Sequence, residues 1–301
     1  MTVPNKGFIR CLPESIPACI FKAMKLFDSH CHLQSPETFP ILGKVMERAS
    51  EAGVERMACC GTSPADWNQV LQLAAEYPQV IPMIGIHPWF IKGRDGSPSR
   101  PRRAEDSTPY LLEQDFQCLG KLLREIPLRF SSGQASLGIG ETGLDFSNRF
   151  ENRAEQEASF AAHLDLAHEL NRPVAVHCVQ AWGRLIEILR EHPAPKIILH
   201  AFGGAPELIP ELVELSCWFS FCGSVMNPNA KRVRASAVAV PEDRLLIETD
   251  SPDFPPLGCP SPNEPANLIH VARAVAELRG VSVEAVSSRT FSNATQVFNA
   301  V

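Results

Sequence analysis

The chain has 301 residues, of which 45% are hydrophobic, and its formal net charge is −6 at pH 7. This length suits one large α/β domain or two ordinary ones, and the apolar fraction is sufficient for a sizeable core. The acidic balance argues against bulk electrostatic attraction to nucleic acid or to a membrane surface. It does not exclude an enzyme that acts on nucleic acid, because bound cations can supply local positive charge.

The first 24 residues contain no continuous apolar segment of the kind found in secretory signals, and no later run is long enough to span a bilayer. We expect residues 1–24 to form a poorly ordered or loosely docked extension. The ten cysteines include no CxxC pair, which favours reduced thiols and a cytoplasmic or nuclear location.

From residue 25 onward, short apolar runs alternate with longer segments of helical periodicity. Several of the runs are almost wholly apolar and bounded by Gly or Pro, which is typical of buried parallel strands. The predicted strands are Leu26–Asp28, Glu55–Cys60, Ile81–Ile86, Leu137–Gly140, Val174–His177, Ile197–His200, Trp218–Phe221 and Leu245–Glu248.

The segments that follow these runs have the spacing of amphipathic helices. The predicted helices are Leu42–Glu51, Trp67–Glu76, Tyr110–Glu125, Arg153–Leu170, Gly183–Glu191, Pro206–Leu215, Asn229–Val238, Ala266–Leu278 and Val283–Phe298. Eight strands alternating with helices predict a single-domain (β/α)8 TIM barrel over residues 25–301. An open doubly wound sheet is the alternative, but no GxGxxG follows the first strand.

One segment interrupts this alternation. Residues 93–109, GRDGSPSRPRRAEDSTP, are rich in Gly, Pro, Ser and charge and predict an inserted surface loop. Because the segment follows the third strand, it would emerge on the face of a barrel where catalysis occurs. Its arginines could contact nucleic-acid phosphates, or the loop could simply be solvated.

Histidines and carboxylates occur at nearly every predicted strand end. His30 and His32 are two residues apart, so strand alternation directs both imidazoles to the same face. His87 follows the third strand. Further along the chain, the strand-end residues are Glu141, Asp145, His177, His200, Asp250 and Asp253. The active sites of TIM barrels are built from this rim.

This mixture of imidazoles and carboxylates suits Zn²⁺, Mn²⁺, Fe²⁺ or Mg²⁺. The four histidines at positions 30, 32, 177 and 200, together with Glu141 and Asp250, are too many ligands for one four-coordinate metal with an open position. They suit two metals that share a carboxylate, an arrangement that serves hydrolysis by generating hydroxide. His87 is predicted to line the pocket. The remaining histidines are predicted to be structural or solvated, and they are His163, His168, His192 and His270.

Eight motifs follow one another from Leu26 to the C-terminus: DSHCHL, GIHP, GETGLDF, PVAVHC, HAFGG, LIETDSPDFPP, NEPANL and NATQVF. In this order they resemble the TatD-related metal-dependent deoxyribonucleases, and the segments HCVQAWG and SFCGSVM resemble a eukaryotic subgroup of that family more than its bacterial members. The resemblance implies a (β/α)8 barrel that holds two divalent ions, Mg²⁺, Mn²⁺ or Zn²⁺. It assigns to the first ion His30, His32, Glu141 and Asp250. It makes Glu141 a bridge to the second ion, which His177 and His200 complete.

The resemblance also implies that the chain hydrolyses DNA phosphodiesters, often from the 3′ end, with Glu141 and Asp250 as catalytic groups. Asp250 would orient the attacking water or accept its proton. Asp145 would either orient a ligand histidine or lie on the substrate side with His87 and Asn263. A simple turn is the alternative for Asn263.

Three positions depart from the usual family pattern: Trp89 after GIHP, and Val179 and Gln180 after the PVAVH motif. They affect the expected contacts with substrate and leave the expected metal site intact. Two alternatives stay open. One is hydrolysis of another ester, such as an aminoacyl-tRNA or a lactone, and the other is a non-catalytic interaction protein. DNA is the expected partner, no membrane is expected, and the oligomeric state is open, with a monomer favoured.

Overall fold

The structure, a computed structural model, describes residues 24–91, 112–126, 137–147 and 152–298. Eight parallel strands form one sheet in chain order, which confirms the predicted barrel. The strands are β1 Leu26–Cys31, β2 Val54–Cys60, β3 Val80–Ile84, β4 Gly138–Asp145, β5 Val174–Val179, β6 Ile197–Leu199, β7 Cys217–Phe221 and β8 Leu245–Ile247. The predicted insertion at 93–109 lies outside the described residues, as does all of the N-terminal extension except Met24.

Helices connect the strands. Within the described ranges they are α1 Leu42–Glu51, α2 Trp67–Glu76, α3 Leu112–Glu125, α4 Arg153–Leu170, α5 Trp182–Glu191, α6 Ile209–Glu214, α7 Lys231–Ala239, α8 Leu268–Arg279 and α9 Val283–Phe298. Within these ranges each predicted helix is present, with ends that agree to within a few residues. In the described part of the chain, no helix combines the length and the apolar character needed to cross a membrane.

The barrel closes through hydrogen bonds just beyond the end of β8. The backbone N–H of Asp250 donates to the His30 carbonyl at 2.9 Å, and the N–H of His32 donates to the Ser251 carbonyl at 2.8 Å. Below them, the Ser29 hydroxyl donates to the Ile247 carbonyl at 3.0 Å. This seam brings the ends of β1 and β8 together at the C-terminal rim.

The core has two layers. Inside the barrel, Phe27 and its apolar neighbours are covered by α9, whose Phe298 ring stacks on Phe27 with ring centroids 5.3 Å apart. A larger layer lies between the strands and the surrounding helices. Cys31 belongs to this outer layer, because alternation along β1 directs it away from the two neighbouring histidines. Burial of both layers supplies the main driving force for folding.

Strand β4 runs to Asp145, five residues beyond its predicted end at Gly140. The glycines of GETG indicate a turn by sequence rules, but here they allow close packing against β5. Gly143 has φ +131°, and a Cβ atom at this position would lie 2.1 Å from the His177 carbonyl oxygen. A register shift between Ile139 and Thr142 adds one residue to β4 relative to β5. Such a bulge redirects the side chains around it, and Glu141 lies within it.

Candidate metal centre

The six predicted ligands converge at the C-terminal rim of the barrel. Three lie in the last residues of strands or within them: His30 in β1, Glu141 in β4 and His177 in β5. The other three follow strand ends, and they are His32, His200 and Asp250. Five of the six residues are buried, and His32 is half-buried. The rim therefore holds a compact group of imidazoles and carboxylates that is largely shielded from solvent.

Glu141 lies at the centre of this group, and its two carboxylate oxygens face different histidines. Oε2 is 3.3 Å from His30 Nε2 and 3.5 Å from His32 Nε2. Oε1 is 2.8 Å from His200 Nε2 and 3.3 Å from His177 Nδ1. One carboxylate thus serves two separate pairs of ring nitrogens.

Asp250 completes the first of these two sets. Its Oδ1 atom lies 3.4 Å from His32 Nε2 and 3.8 Å from His30 Nε2. The backbone of Asp250 has φ +53°, a left-handed conformation that costs a non-glycine residue about 1–3 kcal/mol. The hydrogen bond from its N–H to the His30 carbonyl holds this conformation. Strain of this kind is characteristic of functional sites.

The geometry of the ring nitrogens fits divalent metal ions. His30 Nε2 and His32 Nε2 are 3.3 Å apart, and His177 Nδ1 and His200 Nε2 are 3.2 Å apart. Two ligands that each lie about 2.1 Å from a tetrahedral ion are separated by about 3.4 Å. Each pair of nitrogens, together with one oxygen of Glu141, therefore has the separation and the chemistry of a metal-ligand set.

The other nitrogens of the first histidine pair both face Cys60, the last residue of β2. His32 Nδ1 donates to the Cys60 carbonyl at 2.7 Å, and His30 Nδ1 lies 3.4 Å from the Cys60 thiol sulfur. Such partners orient ligand imidazoles and fix their tautomers. Sequence reasoning missed this role, although Cys60 ends a predicted strand at the same rim as the histidines.

The second histidine pair is flanked by two carboxylates. His177 Nε2 lies 3.5 Å from Asp145 Oδ2, and the orienting role of Asp145 stays a prediction. His200 Nδ1 lies 3.7 Å from Glu248 Oε1, and Glu248 is fully buried. Sequence reasoning did not assign Glu248. The sequence signal that could have identified Glu248 is its position two residues before Asp250, at the end of the same predicted strand.

Burial and mutual charge set the proton affinities in this group. Burial lowers the pKa of His32, but Asp250 and Glu141 outweigh this effect and raise it to about 9. Burial raises the pKa of Glu141, but His87, His200 and His30 outweigh this effect and hold it well below its usual range. The pKa values of His32 and His200 are both raised, so at neutral pH these two rings pair with the carboxylates as imidazolium cations, and an incoming metal ion must displace their protons.

The remaining predicted site residues lie around this centre. His87 is 4% exposed, and its Nε2 lies 3.1 Å from Glu141 Oε1. Asn263 is 2% exposed and donates to the Thr249 and Asp253 carbonyls at 2.9 Å. Because the Asn263 amide is occupied within the β8 loop, its position favours the turn-forming alternative.

A family model described as TatD related DNase matches residues 27–299 of the chain. The chain is 32% identical over 278 residues to the human protein "Deoxyribonuclease TATDN3", an alignment that covers 91% of this chain and 94% of the relative. It is 31% identical over 281 residues to "3'-5' ssDNA/RNA exonuclease TatD" of Klebsiella pneumoniae, covering 91% of this chain and 97% of the relative.

Among solved structures, the chain is similar to YJJV, a TatD homologue from Escherichia coli K12. The TM-score is 0.79 at 24% sequence identity, and the match covers 92% of this chain and 98% of the other. This likeness supports the barrel architecture described above.

Proposed function

Because the chain belongs to the family of TatD-related DNases, we propose that it is a metal-dependent hydrolase that cleaves DNA phosphodiester bonds from the 3′ end. The observation that carries the proposal is the shared carboxylate of Glu141, whose two oxygens face separate pairs of ring nitrogens. Paired divalent ions are a common arrangement in hydrolytic sites, and a carboxylate that offers one oxygen to each ligand set could be shared by such a pair. DNA is therefore the proposed partner, and a cytoplasmic or nuclear location stays a prediction.

The proposed ligands divide into two sets. One ion would be held by His30, His32, Glu141 Oε2 and Asp250, and the other by His177, His200 and Glu141 Oε1. Mg²⁺, Mn²⁺ and Zn²⁺ are the proposed ions. Two divalent ions at such a site supply a nucleophile at neutral pH and neutralise charge that develops on phosphoryl oxygens.

The protein groups contribute orientation and proton handling. The imidazoles of His87, His200 and His30 lower the pKa of Glu141 against the opposing effect of burial, so this carboxylate stays ionised and can be shared. Asp250 is held at the seam between β1 and β8, where its carboxylate can orient the attacking water and accept a proton from it. Asp145 would orient the His177 ring from its position 3.5 Å from Nε2, and a direct contact of Asp145 with substrate stays a prediction. Substrate contacts by His87 and Asn263 stay predictions.

The decisive experiment measures digestion of 3′-labelled single-stranded DNA by purified protein, with and without a chelator. We expect Glu141→Gln to abolish chelator-sensitive turnover, while the metal-free variant still unfolds in one cooperative transition as the wild type does. Glu169→Gln is the matched control, because Glu169 pairs with Arg124 on the surface at 2.8 Å. Unchanged turnover in Glu141→Gln would refute the proposal.

The alternative substrates are tested in the same assay. A panel of DNA, RNA, an aminoacyl ester and a lactone, each with and without chelator, separates a nuclease from a hydrolase of other esters. Turnover of an aminoacyl ester or lactone alone would refute the DNA substrate and keep the metal-dependent hydrolysis. No turnover of any member by metal-loaded protein would favour the non-catalytic alternative.

A further inference from the structure

His87 lies among the ligand nitrogens but differs from them in one respect. Its Nε2 is 3.1 Å from Glu141 Oε1, and its ring centroid is 4.5 Å from that of His177. By distance alone, His87, Glu141 and His177 could form a metal-ligand set of their own. The group that faces His87 Nδ1, the backbone N–H of Trp89, argues against His87 as a ligand.

The backbone N–H of Trp89 donates to His87 Nδ1 at 3.1 Å. A backbone N–H can only donate, so Nδ1 must offer its lone pair and carries no proton. The neutral imidazole therefore carries its proton on Nε2, which points towards Glu141. A protonated Nε2 has no lone pair with which to bind a metal ion.

The four proposed ligand histidines show the opposite arrangement. Each directs one nitrogen to Glu141 and the other towards a group that can accept a hydrogen bond. Those groups are the Cys60 carbonyl for His32, the Cys60 sulfur for His30, Asp145 for His177 and Glu248 for His200. Only the His87 ring, within this group, meets an obligatory donor on the side away from Glu141.

Trp89 is well placed to impose this arrangement. It belongs to the 3-10 turn Pro88–Phe90, which His87 caps through Nδ1. The Trp89 indole N–H donates to Asp145 Oδ2 at 2.6 Å, the same oxygen that lies beside His177 Nε2. Trp89 is thus itself the outer partner of His87, through its backbone N–H, and its indole contacts Asp145, the outer partner of His177.

The segment that carries His87 is also fixed from the opposite side. The N–H of Ile86 donates to His163 Nε2 at 3.1 Å, and His163 Nδ1 donates to the Ser159 carbonyl at 2.7 Å. Helix α4 therefore holds the backbone just before His87, which confirms a structural role for His163.

We propose that His87 is a positioning residue that donates its Nε2–H to Glu141 and binds no metal, with its tautomer fixed by the backbone of Trp89. This inference rests on the proposed function, since it takes Glu141 as the carboxylate shared by two metal sets. The hydrogen bond restrains the Glu141 carboxylate so that Oε1 stays directed at His177 and His200.

The tautomer can be measured directly by two-bond ¹H–¹⁵N correlation of the histidine rings in the full-length protein. Comparison with the spectrum of His87→Gln assigns the His87 signals. We expect a protonated Nε2 and an unprotonated Nδ1 in the metal-free protein and again after saturation with Zn²⁺. A protonated Nδ1, or loss of the Nε2 proton when Zn²⁺ is added, would overturn the inference.

Metal content gives an independent test. We expect His87→Ala to keep the wild-type number of bound Zn²⁺ ions, whereas His200→Ala loses one equivalent, although both rings face the same oxygen of Glu141. We also expect His87→Ala to lower kcat or metal affinity about 10–100-fold, the usual effect of removing a partner of a metal ligand. His87→Gln, which retains an N–H donor, should recover part of that loss at an unchanged KM.

These outcomes separate the inference from the proposed function. If the wild type binds two Zn²⁺ ions and fails to cleave DNA, the proposed substrate is wrong. The measured tautomer of His87 then still tests whether His87 donates to Glu141 without binding metal. If the wild type cleaves DNA and His87→Ala loses one Zn²⁺ equivalent, the proposed function stands and His87 is a ligand. Thermal unfolding of each variant identifies any change in metal content that arises from misfolding.

Discussion

Metal binding should release protons from the site, and the pKa of His32 indicates how strongly this proton release lowers apparent metal affinity. Its pKa of about 9 makes the ring about 99% protonated at pH 7, because the two values differ by about two units. The metal must displace that proton, which costs roughly 3 kcal/mol at pH 7 for a pKa about two units above the pH. Protonation of His32 alone should therefore weaken apparent metal affinity at pH 7 about 100-fold relative to a pH well above 9, where the ring is deprotonated.

His200 should contribute in the same direction. Burial lowers its pKa, but Glu141 and Glu248 outweigh burial and raise it well above the usual value. Because both histidines have raised pKa values, apparent affinity should increase with pH and level off only above about pH 9. We therefore expect at least two protons to be released at pH 7 when both metal ions bind.

Isothermal titration calorimetry with Mn²⁺ in several buffers measures this release. When the observed binding enthalpy is plotted against the ionisation enthalpy of the buffer, the slope equals the number of protons transferred. We expect His32→Gln to lower that number by about one. His192→Gln is the matched control, since His192 lies on the surface 2.8 Å from Asp165. An observed enthalpy that does not depend on the buffer, or an equal proton count in His32→Gln, would refute the reasoning.

Three further outcomes follow from packing around the site. Gly143→Ala should lower the free energy of unfolding, measured in urea, by several kcal/mol: overpacking contributes about 1–3 kcal/mol and backbone strain about 1–3 kcal/mol. Gly183→Ala should not destabilise the protein, because a Cβ atom at position 183 would have no neighbouring atom within 4 Å. Phe298→Ala should cost about 3–5 kcal/mol by the same measurement, with metal content unchanged; a loss of metal would contradict the placement of Phe298 against Phe27 near the start of β1, away from the strand ends that carry the ligands. Cys60→Ala should lower metal affinity about 10-fold or more by calorimetry, whereas the equally buried Cys217→Ala should not, and equal effects would rule out an orienting role for the thiol.

The sequence predicted the barrel and the set of residues at its rim because both depend on local patterns. Alternation placed His30 and His32 on one face, and the order of apolar runs assigned Glu141, His177 and Asp250 to strand ends. The sequence missed the full length of β4, because the glycines of GETG have the local signature of a turn. Their function is to allow contact with β5, which is a property of the neighbouring strand.

The family resemblance implied that Glu141 is shared by two ligand sets, but local sequence patterns could not predict which of its oxygens faces which pair of histidines. The bulge in β4 and the closure of β8 against β1 determine which ring nitrogen faces which oxygen. The position of the proton on His87 has the same origin, because it depends on a backbone N–H two residues further along a folded turn. The sequence thus determined which chemical groups reach the rim, and only the tertiary structure decided their separations and proton positions, because both depend on partners that folding brings from other strands.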